Sequence, residues 1–308
     1  MSGAENSVVD RHGVYGILSA DLAEAPAQAE QFSPLIPGSR ALEEVAGQSL
    51  ASMTVLAPPG TLERRYVLAQ SLRALRPGGA LIALAPRNRG GTRLRGEFAE
   101  FGIEATETAR SHYRLCEGTR PAQPKELEPA IVAGGPQFVA ATGLWSQPGI
   151  FSWNRIDAGS GLLAAHLPLF EGCGADLGCG TGYLARRVLE SERVTSLALV
   201  DVDRRAVDAA RRNIADPRAG VHWSGATAPL ASGLDFVVTN PPFHEGGDEN
   251  RALGTAVARA AAGALRKGGE LWLVANSHLA YAPALGENFA AVSVVAQDQA
   301  FRVYRAVK

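Results

Sequence analysis

The chain has 308 residues, 46% hydrophobic and 20% charged, enough for two domains of ordinary size in a globular protein. Its 30 Lys and Arg against 31 Asp and Glu leave a formal net charge of −1, which excludes a global nucleic-acid-binding field but not a local basic cluster. The longest apolar runs, such as Leu271–Ala275, are strand-length, and the N-terminus lacks a signal peptide's basic start and apolar core. Cys116, Cys173 and Cys179 show no metal-ligand spacing, so a reduced, cytoplasmic protein with no metal and no membrane segment is expected.

In chain order, a first domain is expected over residues 1–120. Its apolar strand Val55-Leu56 runs into Ala57-Pro58-Pro59, and an alanine- and arginine-rich helix then ends in Ala74-Leu75-Arg76-Pro77-Gly78-Gly79-Ala80-Leu81, a helix-to-strand turn. The next segment, Arg87-Asn88-Arg89-Gly90-Gly91-Thr92-Arg93-Leu94-Arg95, carries four arginines and no acid. It reads equally as a phosphate-contacting cluster or as a solvated loop entering a helix. A helix and two strands follow, ending in His112-Tyr113-Arg114-Leu115. The three prolines of Gly118–Pro129 then suggest a linker, placed at 121–130.

The second domain, 131–308, opens on Gly149–Ser160, whose aromatic and small polar residues, Phe151 among them, suit either a lid or a connection packed on a sheet. Beyond it strands and helices alternate: strand Gly174–Leu177, helix Tyr183–Glu190, strand Leu197–Val200, helix Arg204–Ile214, strand Asp235–Thr239, helix Asn250–Leu265 and strand Glu270–Ala275. Strands Ala291–Ala296 and Phe301–Val307 are close enough to pair antiparallel. The pattern predicts an α/β, doubly wound, mostly parallel seven-stranded sheet with an antiparallel last strand. Ala264-Leu265-Arg266-Lys267-Gly268-Gly269-Glu270-Leu271 echoes Ala74–Leu81, Val238-Thr239-Asn240-Pro241-Pro242 echoes Val55–Pro59, and both halves end through a helix into two strands. Three echoes in one order predict tandem Rossmann-like domains, the first degenerate.

Two motifs carry chemistry. In Asp176-Leu177-Gly178-Cys179-Gly180-Thr181-Gly182, between a strand and a helix, the glycines let backbone turn tightly against a ligand. The leading carboxylate suits the ammonium of S-adenosylmethionine and would repel a pyrophosphate. Asp201, ending the next strand, is placed to accept ribose hydroxyls, while Asp203 reads as a helix cap. Trp223-Ser224-Gly225-Ala226 is the candidate adenine contact. After the fourth strand, Asn240-Pro241-Pro242-Phe243 fits a planar amine. The Asn240 oxygen and Pro241 carbonyl each accept one N–H, aiming the nitrogen and draining positive charge as the new bond forms, and Phe243 offers a stacking face. His244 and Glu245 read as solvent-facing neighbours.

Gly149–Leu163, Asp176–Leu184, Asn240–Gly246 and the stretch from Leu273-Val274-Ala275-Asn276 to Val307 resemble the ribosomal small-subunit methyltransferase C family, as does the tandem plan with an inactive first class I methyltransferase domain. The resemblance implies methyl transfer from S-adenosylmethionine to the 2-amino group of a guanine in 16S ribosomal RNA, free or in a 30S particle. It implies Asn240, Pro241 and Phe243 as catalytic residues and Asp176, Gly178, Gly180, Gly182 and Asp201 as cofactor ligands. Pro242, His244, Phe151, Arg87, Arg89 and Arg93 would meet the substrate, with the first domain gripping RNA or stabilising its partner. The chain is shorter than the family pattern in its first domain and linker. Two other readings are a glutamine-side-chain methyltransferase acting on a translation factor, for which Asn-Pro-Pro-Tyr is the more usual form, and a catalytically silent rRNA-binding assembly factor.

Overall fold

The computed structural model describes residues 10–19, 21–241, 248–278 and 281–308. The chain divides into two compact units, Met1–Gly135 and Pro136–Lys308. Among the described residues, no helix is long and apolar enough to cross a membrane.

The first unit contains β1 (His12–Tyr15), β2 (Glu30–Gln31), β3 (Leu50–Leu56), α1 (Thr61–Ala74), β4 (Leu75–Pro86), α2 (Leu94–Glu100), β5 (Thr106–Arg110), β6 (Tyr113–Thr119) and α3 (Leu127–Gly134). Its six strands run in the order β2-β1-β3-β4-β6-β5, parallel as far as β4 and antiparallel beyond it. The expected linker at 121–130 is corrected here. Residues 121–135 belong to the first unit, because α3 packs on α1 so closely that a Cβ on Gly134 would stand 2.4 Å from that of Tyr66. Pro129 does not stop the helix, since it lies in the first turn, where a backbone N–H has no intrahelical acceptor.

The second unit comprises a short hairpin, β7 (Gln137–Val139) and β8 (Leu144–Ser146), then α4 (Ala158–His166), β9 (Gly172–Leu177), α5 (Tyr183–Val188), β10 (Val194–Asp201), α6 (Arg204–Asn213), β11 (Ala219–Trp223), β12 (Leu234–Thr239), α7 (Asp248–Ala264), β13 (Leu265–Asn276), α8 (Tyr281–Gly286), β14 (Ala291–Gln297) and β15 (Phe301–Val307). Its seven strands run β11-β10-β9-β12-β13-β15-β14, with only β15 antiparallel to its neighbours, as the β/α alternation predicts. Alternate residues of the central strands enter different layers. Ala175, Leu177, Val237, Leu271 and Leu273 pack under α7 and α8, whereas Phe236, Val238, Trp272 and Val274 meet α4 and α5. Burial on both faces explains why these strands read as continuous apolar runs. Fixing β9 and β12 at the centre brings their carboxyl ends together with that of β10 on one edge.

Candidate active site

At that edge β9 hands over to the glycine loop. Gly178, Gly180 and Gly182 all have positive φ (71°, 53° and 84°), a conformation that costs an L side chain but not glycine. The loop is pinned from below by Gly178 N–H and Cys179 N–H, both donating to the Val200 carbonyl at 2.8 and 3.1 Å. Asp201 pins it from the side. One carboxylate oxygen accepts from Gly180 N–H at 2.8 Å and the other from Asp203 N–H at 2.8 Å. Each oxygen keeps a second lone pair for a hydroxyl donor. Asp203 caps α6 by accepting from Arg205 N–H at 3.0 Å and pairs with the Arg205 guanidinium at 2.8 Å.

Asp176 is fully buried, and neither of its carboxylate oxygens has a hydrogen-bond partner. Burial, then the neighbouring charge of Asp201, pushes its pKa up to about 8, opposed by the nearby Ala185 backbone N–H, which lies outside hydrogen-bonding geometry. Asp201 is also raised, first by burial, although its backbone hydrogen bonds oppose the shift. Cys179 is raised well above the ordinary thiol value by burial and then by the two aspartates, so it is a neutral packing residue rather than a nucleophile. A buried, unpartnered acid beside a glycine cradle is a site that lacks its donor. Nothing lies within 4 Å of where a Gly180 Cβ would stand, so the cradle has room for a ligand.

The amine motif meets this loop directly. Thr239 Oγ1 donates to the Leu177 carbonyl at 2.7 Å, tying the end of β12 to that of β9. The Asn240 carbonyl lies 3.9 Å from where a Gly178 Cβ would be. The Asn240 side chain is held from behind: its Nδ2 donates to Asp157 Oδ2 at 2.9 Å and to Ser160 Oγ at 2.8 Å. Both amide hydrogens are thereby used, and Oδ1 is the end left to accept from a substrate. Asp157 and Ser160 come from the start of α4, where Asp157 is the N-cap and accepts from Ser160 N–H at 2.8 Å. Gly159 lets this turn approach β15, since a Cβ there would stand 2.9 Å from the Phe301 ring.

The structure thus brings Asp176, Gly178, Gly180, Gly182, Asp201, Asn240 and Pro241 to one edge. Pro242, Phe243 and His244 lie outside the described residues. Within Gly149–Ser160, Ile150 and Trp153 pack against Ala206 and Ala209 of α6, Phe151 is 64% exposed, and the last four residues form the turn behind Asn240. Asp157 and Ser160 are the partners of Asn240 that sequence reasoning missed. Asp-Ala-Gly-Ser does carry an N-cap signal, but nothing local links it to Asn240, 83 residues away. Trp223 ends β11, and its Nε1 donates to the Val202 carbonyl at 2.8 Å, beyond the end of β10. Arg87, Arg89, Arg93 and Arg95 belong to the first unit, follow β4, are exposed, and form no ion pair among the described residues.

A cavity of about 570 Å³ opens at the opposite, amino edge of the second sheet. Its cations are already paired, Arg193 with Glu171, Arg266 with Asp235 and Arg305 with Glu270. The carboxyl edge, not this cavity, holds the unsatisfied chemistry. Doubly wound sheets bind ligands at that edge.

The methyltransferase small domain family model matches residues 141–305. The ribosomal RNA small subunit methyltransferase C of Pseudomonas paraeruginosa is 32% identical over 90% of this chain and 85% of its own length. That of Klebsiella pneumoniae is 34% identical over 81% of this chain and 73% of its own. Among solved structures, the T. thermophilus 16S rRNA N2 G1207 methyltransferase in complex with AdoMet and guanosine superposes with a TM-score of 0.75 at 22% identity, covering 97% of this chain and 88% of that one. That likeness extends the shared fold across both units. With a family model over most of the second unit and relatives above 30% identity along nearly the whole chain, this protein belongs to the ribosomal RNA small subunit methyltransferase C family.

Proposed function

We propose that the second unit transfers a methyl group from S-adenosylmethionine to the exocyclic 2-amino group of a guanine in 16S ribosomal RNA. The observation that carries this reading is the Asn240 amide, whose hydrogens are both committed to Asp157 and Ser160 at the edge where the glycine loop turns. A carbonyl oxygen so presented receives an N–H, and a guanine amine supplies one. S-adenosylmethionine, when bound, supplies an electrophilic methyl group on a sulfonium. Asp176 would take its ammonium, Asp201 its ribose hydroxyls, and the three glycines its close approach. Asn240 Oδ1 and the Pro241 carbonyl would hold the amine and share the positive charge that grows on nitrogen. The guanine must leave its stack to reach such a site, which costs a few kcal/mol, roughly.

The first unit is, on this reading, a degenerate copy of the second that grips RNA through Arg87, Arg89, Arg93 and Arg95. Its sheet repeats six of the seven strand positions of the second in the same order, and in the echoed sequence motif it has Ala57-Pro58-Pro59 for Asn240-Pro241-Pro242.

The test offers the purified chain labelled S-adenosylmethionine with naked 16S RNA, 30S particles or release factors. Label in 2-methylguanine after digestion of either RNA substrate is expected, and label in release-factor glutamine would replace this reading. Asn240→Ala should retain cofactor binding by calorimetry and lose at least ~100-fold in turnover. Near-normal turnover in that variant would remove Asn240 from the chemistry.

A further inference from the structure

An asparagine amide can present either end to a substrate, and the two orientations fill the same volume. Only one of them works on an amine. Turned about, Nδ2 would face the substrate N–H donor to donor. The direction of the Asn240 amide is therefore part of the catalytic apparatus, and something must set it.

We propose that Asp157 and Ser160 are positioning residues that lock the Asn240 amide with Oδ1 toward the acceptor base. This rests on the reading that Asn240 accepts a substrate N–H. A carboxylate is an acceptor only, and Asp157 Oδ2 lies 2.9 Å from Asn240 Nδ2. The flipped amide would set a carbonyl oxygen against that carboxylate at the same distance. Ser160 Oγ, at 2.8 Å, takes the second hydrogen, so both N–H groups have fixed partners. The partners are themselves fixed. Asp157 caps α4 through Ser160 N–H at 2.8 Å, and Gly159 seats the turn against Phe301 at the start of β15. The start of α4, seated against the start of β15, thus holds one oxygen in place. The same lock makes the site selective for a donor: a ring position carrying a carbonyl would meet Oδ1 acceptor to acceptor.

The experiment measures kcat and KM on the RNA substrate, and cofactor affinity by calorimetry, in the full chain carrying Asp157→Gly, Asp157→Asn, Ser160→Ala, Asn240→Asp, Asn240→Ala or the double change Asp157→Gly with Asn240→Asp. Glycine caps a helix nearly as well as aspartate, so Asp157→Gly spares the start of α4 while removing the acceptor for Asn240. Asp157→Gly and Ser160→Ala should each lower kcat about 10-fold with cofactor affinity within about twofold, as loss of alignment without loss of binding requires. One Asp157 oxygen accepts from both Ser160 N–H and Asn240 Nδ2, so the amide oxygen of Asp157→Asn can take both and should keep kcat within about threefold. Asn240→Asp sets two carboxylates face to face and should lose at least ~100-fold. In the double variant the facing carboxylate is gone, and the one at 240 still accepts from the amine. At least ~10-fold of the lost kcat should return, a coupling that a cap alone cannot produce.

Wild-type kcat in both Asp157→Gly and Ser160→Ala, an Asp157→Asn as slow as Asp157→Gly, or additive losses in the double variant would overturn the proposal while leaving an inactive Asn240→Ala, and so the amine reading, intact. An active Asn240→Ala would overturn both. If Asp157→Gly unfolds the chain, Ser160→Ala decides alone, since it removes only a hydroxyl.

Discussion

The carboxyl edges of the two sheets answer one geometric problem in opposite ways. In the second unit the central strand β12 ends in Asn240-Pro241, and the polar groups there are held open by partners standing behind them. In the first unit the strand in the corresponding place, β3, ends in Ala57-Pro58-Pro59, and the proline carbonyls are closed off from within. Arg64 of α1, fully buried, donates to the Pro58 and Pro59 carbonyls at 3.2 and 2.8 Å, and its other nitrogens pair with Glu97 of α2 at 2.8 and 2.7 Å. Gly90 makes the space, since a Cβ there would stand 2.4 Å from the Arg64 Nη1. A guanidinium thus occupies the carbonyls that this proline turn presents. At the first edge a guanidinium takes up two proline carbonyls and a buried carboxylate, whereas at the second Asp176 has no hydrogen-bond partner.

The largest test of this contrast removes the plug. Arg64→Ala leaves Glu97 buried and unpaired along with two proline carbonyls, and should destabilise the first unit by about 3–5 kcal/mol. Urea or thermal unfolding followed by hydrogen exchange should show the loss concentrated in α1, α2 and β3. A change below ~1 kcal/mol would mean that the pair is dispensable and that the first edge is not held by it.

The opposite manipulation applies to Asp176. In the free protein its pKa, about 8 against an ordinary 3.8, means that the folded chain keeps a proton over that interval that the unfolded chain has lost. Stability from this group is fully present below pH 4, roughly, and declines as pH rises towards 8. Asp176→Asn should remove that part of the pH dependence, and melts from pH 5 to 8 will show whether it does. An ammonium bound at Asp176 favours the carboxylate, so S-adenosylmethionine binding at pH 7 should release close to one proton, read by calorimetry in buffers of different ionisation enthalpy. Asp176→Asn should abolish the release and weaken the cofactor by about ten- to a hundredfold, the range of a charge-assisted hydrogen bond. Proton-neutral binding in the parent protein would separate Asp176 from the ammonium.

The sequence made the second edge legible and the first opaque for a physical reason. Glycine loops, caps and proline turns are local, so Asp176–Gly182, Asn240–Pro241 and the Asp203 cap could be read from adjacent residues. The mostly parallel sheet of the second unit followed from the β/α alternation, because parallel neighbours require crossover connections. The contacts that decide the state of each edge span 83 residues from Asp157 to Asn240 and 33 from Arg64 to Glu97, with no intervening periodicity to betray them. β2, of two residues, is too short to show any period, and α3 was hidden by a proline that its first turn accommodates without loss.

The smallest expected effect concerns the arginine loop of the first unit. Arg87, Arg89 and Arg95 reach solvent with no acid paired to them among the described residues, and Arg93 touches only the Thr61 hydroxyl at 3.0 Å. An arginine committed to an internal acid, as Arg64 is, has little charge to offer a phosphate. These four have theirs uncommitted on an otherwise nearly neutral chain. Each phosphate neutralised contributes roughly 0.9 to the slope of log affinity against log salt on a duplex, and roughly 0.7 on a single strand. Replacing all four by glutamine should therefore flatten the slope by about 3 and weaken RNA binding on the order of tenfold at physiological salt, with cofactor affinity unchanged. An unaltered slope would return the loop to a solvated turn, and the first unit's role would then rest on its fold rather than on its charge.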